Sequence, residues 1–473
     1  MENVIQNSSD YWGSYEKDTS TLVAFTGIEK GNDEGYAENQ PDFVIFGGGS
    51  GPLKEKTDEE DLLKSMEFIV HHLKQAFNIE DIPLFPVMGK YDIFPAATLP
   101  VGPEDWDRIL WCKKLAMDER LWKQWIDMAL DTVSVVQKLP LIRFEEGCYH
   151  SMLIGKNPKI LLLGVNSLAW YRNNEQINSS YTDPLNQFLW MEKSLKWARE
   201  NKAKVLLITH IPPGAQETNP NARPLYLDQY NDRIIEYIRD YSDVITAVLS
   251  GYGHTDTFRV ILDKSYHPIT TVLMSPSMDP RHISGTGSFN PRIRQYKYSR
   301  STGRILDYRQ FYLNLTQKHP QWELEYVARD EYKLQDLSPQ SLADLLDVFT
   351  STDNENGWWD AFWKHLLGGG KHDPVNEGDG NCPKSDSRCR CEFVCAMRHL
   401  DTKEFDPCRK ICKSDNPKLP TIHDLINPPH PEPEPDTGGS STGVIVGSVV
   451  GVLCVVLAAG GGAGYYFYRK RRG

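Results

Sequence analysis

The run Ile208-Thr209-His210-Ile211-Pro212-Pro213-Gly214 carries a histidine from the end of an apolar strand onto a loop stiffened by two prolines. A neutral imidazole held in this way suits metal ligation and proton transfer. The plainer role is that of a hydrogen-bonded histidine closing a strand end. A second histidine, His254, ends the turn Gly251-Tyr252-Gly253-His254, and two further glycine turns, Gly47-Gly48-Gly49 and Gly89-Lys90-Tyr91, follow apolar runs of their own. Farther on, Cys382, Cys389, Cys391, Cys395, Cys408 and Cys412 crowd a short stretch that holds a single histidine, His399. That density reads as disulfides in an oxidising compartment, with a zinc site as the alternative and the pairing left open. Cys112 and Cys148 are candidates for one more bridge.

The elements that must position these residues alternate between β-rich runs and amphipathic helices. Strands are expected at 43–48, 84–89, 159–166, 204–210, 244–252, 270–275 and 294–298. Thr57-Asp58-Glu59-Glu60 reads as a capping box ahead of a helix whose Leu62, Leu63, Met66, Ile69, Val70, Leu73 and Phe77 share one stripe. Further helices are expected within 104–137, broken into two, and at 183–201 and 230–241. Such alternation implies α/β layers with helices flanking a mixed sheet, and it places functional residues on loops after strands. Trp122, Trp125, Trp170, Trp190 and Trp197 fall on faces where core packing outweighs ligand stacking.

The chain's 52 basic and 64 acidic residues give a net charge of −12, which argues against a general nucleic-acid binder. Four of the basic residues, Arg469, Lys470, Arg471 and Arg472, close the chain behind the uncharged run 443–468. A run of that length followed by a basic cluster reads as a single membrane-spanning helix with its basic tail, 469–473, in the cytoplasm. The expectation is therefore a type I protein of the plasma membrane or an endomembrane, with everything before the span extracellular or lumenal. Gly443, Gly447 and Gly451 at spacing four offer a face for helix dimerisation. The sequons at Asn7, Asn178 and Asn314 suit glycosylation in the same compartment. The opening MENVIQNSSDYWGSYEK has none of the parts of a leader, so the natural amino-terminus is expected to lie upstream.

Taken in order, PDFVIFGGGSGP (41–52), FPVMGKYDIFP (85–95), KILLLGVNSLAWYRNN (159–174), DPLNQFLWMEKSLKWARENKAKVLLITHIPPG, GYGHTDTF (251–258) and the Asn290-Pro291 turn before Arg294 resemble the acid sphingomyelinase-like phosphodiesterases. The resemblance spans roughly residues 11–415. It implies a calcineurin-like metallophosphoesterase: two zinc ions bridged by a carboxylate and a water, which supply hydroxide and clamp the phosphoryl oxygens. It also implies where the ligands should be. The opening Asp-x-His has no match. The bridging aspartate of the second motif is Gly49, and the histidine four residues on is Leu53. The Gly-Asn-His motif reads Gly89-Lys90-Tyr91, and Gly-His-x-His reads Gly251-Tyr252-Gly253-His254. Of the seven metal ligands the resemblance implies, His210 and His254 remain, and a single residual metal on them would need Asp256 or Asp92 as a third ligand. An ammonium at position 90 could hold a phosphate as a point charge without metal, or be a solvated loop lysine.

The expected architecture is a four-layer α/β/β/α metallophosphoesterase-like sandwich over 1–325, a helical, cysteine-rich subdomain over 326–415, a Pro/Gly/Ser-rich stalk over 416–442, and the transmembrane helix. The expected function is a membrane-anchored family homologue that is catalytically impaired or inactive and acts as a binding or scaffold module for a phosphate-containing lipid or nucleotide. The alternative is an active phosphodiesterase cleaving sphingomyelin- or nucleotide-type esters with an altered metal site. Zinc is the family's cofactor, with none or one weakly held metal expected here.

Overall fold

The computed structural model describes residues 41–51, 58–78, 82–100, 110–141, 144–155, 159–177, 179–217, 223–283, 287–350, 357–372, 387–414 and 417–428. Backbone contacts divide the chain into Met1–Asn427 and Pro428–Gly473, and the described elements belong to the first unit. The fold is mixed α/β. Fourteen strands occur among the described residues: β1 (Val44–Phe46), β2 (Leu84–Pro86), β3 (His150–Ile154), β4 (Ile160–Val165), β5 (Lys204–Thr209), β6 (Ile245–Ser250), β7 (Thr257–Leu262), β8 (Pro268–Met274), β9 (Arg281–Ile283), β10 (Gly287–Phe289), β11 (Arg292–Tyr298), β12 (Ile305–Leu313), β13 (Trp322–Val327) and β14 (Lys371–His372).

The central sheet has the order β3-β4-β5-β6-β8-β7, parallel through β4, β5, β6 and β8, with an antiparallel strand at each edge. Its inner strands read as unbroken apolar runs because both faces are covered. Leu161, Leu163, Val165, Val205 and Leu207 face one core, which the helices Glu59–Ala76, Lys123–Ser134, Gln187–Glu200 and Asp228–Asp240 complete. Their neighbours Ile160, Leu162, Leu206 and Ile208 face a second core, shared with β12, β13 and the helices Pro339–Thr350, Trp358–Leu366 and Ser387–Arg398. The two-residue alternation of a strand thus divides one apolar sequence between two cores. All five tryptophans assigned to packing, Trp122, Trp125, Trp170, Trp190 and Trp197, are buried.

Several details differ from the sequence expectations. The helix from Glu59 is capped by Asp58, whose side chain accepts from the Asp61 N–H at 2.8 Å. The stretch 104–137 does hold two helices among its described residues, Leu110–Met117 and Lys123–Ser134. Strands β3, β7, β9, β10, β12, β13 and β14 are additional. In β12 and β13 charged side chains interrupt the apolar pattern, and the pairing of β12 with both β11 and β13 supplies the order instead.

The single-pass membrane placement is corrected. Among the described residues no helix is long and apolar enough to cross a membrane, and 443–468, with Gly443, Gly447 and Gly451, lies outside the described residues.

The cysteine-rich stretch forms disulfides. Cys391 pairs with Cys412 and Cys395 with Cys408, linking the helices Ser387–Arg398 and Thr402–Cys412. Cys389 is also disulfide-bonded, Cys112 pairs with Cys148, and Cys382 lies outside the described residues.

Candidate functional site

The parallel strands β1, β2, β5 and β6 all end toward one set of loops, as expected for a site at the carboxyl edge of such a sheet. Gly47–Ser50 follows β1, Gly89–Asp92 follows β2, His210 follows β5, and Gly251–His254 follows β6.

Two of these loops touch backbone to backbone. Gly48 and Gly49 have φ of 86° and 96°, in the region that favours glycine. A Cβ on Gly89 would meet the Gly49 nitrogen at 2.5 Å, and one on Gly48 would meet the Gly89 nitrogen at 2.7 Å. Asp92 locks the approach. Its buried carboxylate accepts from the N–H groups of Gly49 (2.8 Å), Gly89 (2.8 Å) and Ser50 (2.6 Å), while its carbonyl accepts from the Trp111 indole. Both carboxylate oxygens are therefore committed to loop structure.

His210 packs against this clamp. Its Nδ1 donates to the Gly47 carbonyl at 2.8 Å, which leaves the Nε2 lone pair on the other side of the ring, and that atom is buried without a partner. Burial pushes its pKa down to about 4. The Ser250 hydroxyl fixes the adjacent backbone by donating to the His210 carbonyl at 2.6 Å. His254 adopts φ of 58°, and its carbonyl accepts from Arg292. Its Nδ1 is likewise buried and unpartnered, and burial, with help from Arg281 and Lys90, lowers its pKa to about 3. Both imidazoles are neutral at any ordinary pH.

Tyr252 stands edge-on to His210, with ring centroids 5.6 Å apart, and its hydroxyl shares a hydrogen bond with Tyr171 at 3.1 Å. The Lys90 ammonium lies 4.7 Å from the Tyr252 ring centroid and 4.9 Å from that of Tyr91. Burial first, and Arg281 second, push the Lys90 pKa down to about 8. Lys90, Tyr91, Tyr252, His210 and His254 are thus brought together around Gly49. Leu53 lies outside the described residues, as do Asn7 and Asn178; Asn314 sits in a turn where its side chain accepts from Thr316.

The fit to zinc was tested on the donors present. Two imidazole nitrogens are free to bind, but the carboxylates expected to join them are not. Asp92 is committed as described, and Asp256 pairs with Arg294 at 2.5 Å while accepting from the Tyr326 hydroxyl at 2.6 Å. Among the described residues, three candidate metal-binding side chains cluster only at Cys391, Cys395 and Cys412, whose sulfurs are spent in disulfides. The described side chains do not assemble a two-zinc centre. Sequence reasoning put His210 and His254 on loops after strands, where the structure has them, but missed the Asp92 clamp.

Residues 267–414 match the family model for the acid sphingomyelin phosphodiesterase C-terminal region. Cyclic GMP-AMP phosphodiesterase SMPDL3A of Homo sapiens is 28% identical over 337 residues, 70% of this chain and 67% of that protein. The chain is similar to the acid sphingomyelinase-like phosphodiesterases. Among them, acid sphingomyelinase-like phosphodiesterase 3b of Homo sapiens is 25% identical over 409 residues, covering 84% of this chain and 81% of the relative. Sphingomyelinase phosphodiesterase C of Dictyostelium discoideum is 28% identical over 410 residues, covering 84% and 83%. A solved 5'-nucleotidase from Staphylococcus aureus aligns at 12% identity with a TM-score of 0.22, over 60% of this chain and 52% of that one, and carries no weight for the site. The paired cysteines of this acid sphingomyelinase-like chain, Cys391 to Cys412 and Cys395 to Cys408, fall inside the matched C-terminal region.

Proposed function

We propose that this chain keeps the four-layer phosphoesterase sandwich of its family but has lost the dinuclear zinc centre, so that it binds phosphate-containing lipid or nucleotide ligands with hydrolysis impaired or absent. The observation that carries this reading is the commitment of both nearby carboxylates. Asp92 is spent on three backbone N–H groups and Asp256 on Arg294 and Tyr326. Gly49 offers no side-chain donor where the family resemblance calls for the bridging carboxylate, and without one two cations at short range repel. Lys90, Tyr91, Tyr252 and Leu53 stand at the other substituted positions.

A second reading, an active phosphodiesterase with an altered metal site, draws on the relatives' named activities and on the two unpartnered imidazole nitrogens. Elemental analysis of the full chain, purified in the presence of zinc, separates the two. The proposal expects far fewer than two zinc ions per chain, and full dinuclear occupancy would overturn it.

A further inference from the structure

A cavity of about 200 Å³ lies between the edge strand β3 and the helices Leu110–Met117 and Lys123–Ser134. It shares no residue with the loops around Gly49. Ala116, Ile126, Leu130, Val133 and Phe144 make its walls apolar, and Met117, 59% exposed, stands where it meets solvent. The Cys112–Cys148 disulfide ties the first helix to the chain entering β3. The Leu153 N–H of β3 donates to the Thr132 hydroxyl of the second helix at 2.9 Å. The walls are thus held in place before any ligand arrives.

One polar ring sits among them. His150 is 4% exposed, stacks on Phe85 with ring centroids 4.2 Å apart, and lies edge-on to Phe144 at 5.4 Å. Among the described residues neither of its ring nitrogens has a hydrogen-bond partner. Nε2 is sealed, so the ring's small open surface, which lines the cavity, leaves Nδ1 as the nitrogen that can be reached. Burial pushes the His150 pKa down to about 3, and the neutral ring keeps one N–H and one lone pair. The charged residues of the lining are Lys123, Asp127 and Glu145. Lys123 is already paired with Asp127 at 2.6 Å and with Glu119 at 3.3 Å.

We propose that this cavity is a binding site for a small uncharged aromatic alcohol, with its ring between the apolar walls and its hydroxyl on His150 Nδ1. An apolar cavity of about 150 Å³ is enough for benzene, so this one has room for a six-membered ring and its hydroxyl. A hydroxyl both donates and accepts, and therefore meets either tautomer of the imidazole. A carboxylate would find Lys123 already committed and His150 uncharged, and an ammonium would lose its water against apolar side chains. The hydroxyl supplies the partner that His150 lacks in a place where the protein provides none. The site is independent of the phosphate reading, since neither its walls nor His150 takes part in the loops after β1, β2, β5 and β6.

Titration of the full chain with phenol and with toluene, followed by ligand-observed NMR, tests it, because the two probes match in size and differ in the hydroxyl. Phenol should bind saturably. Ala116→Leu, which fills the cavity, should weaken phenol binding about tenfold or more. His150→Phe keeps a flat ring but removes both nitrogens, and should lower the ratio of phenol to toluene affinity about tenfold while toluene still binds. Melting temperatures of the variants check folding. Should a variant fail to fold, the ring nitrogen resonances of the ¹⁵N-histidine-labelled parent decide: those of His150 should move with phenol and stay nearly still with toluene. Absence of saturable phenol binding, binding that survives Ala116→Leu, or an affinity ratio or His150 signal indifferent to the hydroxyl would overturn the site.

Discussion

Two buried polar regions, joined by Arg292, which donates to the carbonyls of His365 and His254, handle charge in opposite ways. In the first, Asp256 pairs with Arg294, Arg294 lies 3.8 Å from the Tyr308 ring centroid, and Tyr308 and Tyr326 share a hydrogen bond. His365 is held there between Glu325 at 2.7 Å and Glu331 at 3.1 Å. Arg294 and His365 thus each have a carboxylate partner, although the Glu325 Oε2 is buried without a hydrogen bond. In the second, around Lys90, His210 and His254, the Lys90 ammonium has no ion pair among the described residues, and His210 Nε2 and His254 Nδ1 lack hydrogen-bond partners. The first region fixes β11, β12 and β13 against the helix Trp358–Leu366, so its polar groups act as structure. The second gives up that stability, which is expected where a ligand completes the arrangement.

The contrast is broken most severely at Arg294. Replacing it with Met strands the buried Asp256 carboxylate and should cost about 3–5 kcal/mol, read as a lower urea midpoint. Lys90→Met, on the other side, should leave that midpoint within about 0.5 kcal/mol of the parent, since it removes an unpaired cation. Comparable losses in the two variants would erase the distinction between the regions. Asp92→Asn comes next, at about 2 kcal/mol, because an amide places an N–H₂ against backbone donors that now meet a carboxylate. It should also weaken phosphate binding by loosening the Gly49 and Gly89 loops, and unaltered binding would count against the clamp.

The smallest effect is in pH. Burial alone would lower the His365 pKa, but the hydrogen bonds and charges of Glu325 and Glu331 raise it above the ordinary 6.5. A pKa raised on folding contributes stability that is full below pH 6.5 and is lost as pH rises through the folded value. Melting temperatures taken on both sides of that range should fall with rising pH, and His365→Gln should flatten this part of the profile.

The parts of this arrangement legible in the sequence are those set by local pattern. His210 and His254 could be placed because each follows an apolar run that ends in a turn, and Gly47-Gly48-Gly49 marked a backbone needing unusual φ. The helix–strand alternation gave the fold class for the same reason. What it could not reveal depends on apposition. Asp92 clamps two loops whose contact exists only once β1 and β2 pair. The disulfide pairing does leave a local trace: Cys391 and Cys395, like Cys408 and Cys412, are one helical turn apart, so two antiparallel helices pair them in the nested order observed.

We propose that the loops carrying Gly49, Lys90, His210 and His254 hold too few free ligands for two-metal hydrolysis. Turnover of a generic phosphodiester by the full chain, with saturating zinc and alongside His210→Ala, addresses it directly. The account predicts the same near-background rate for both proteins. Zinc-dependent turnover that is lost in His210→Ala would contradict it.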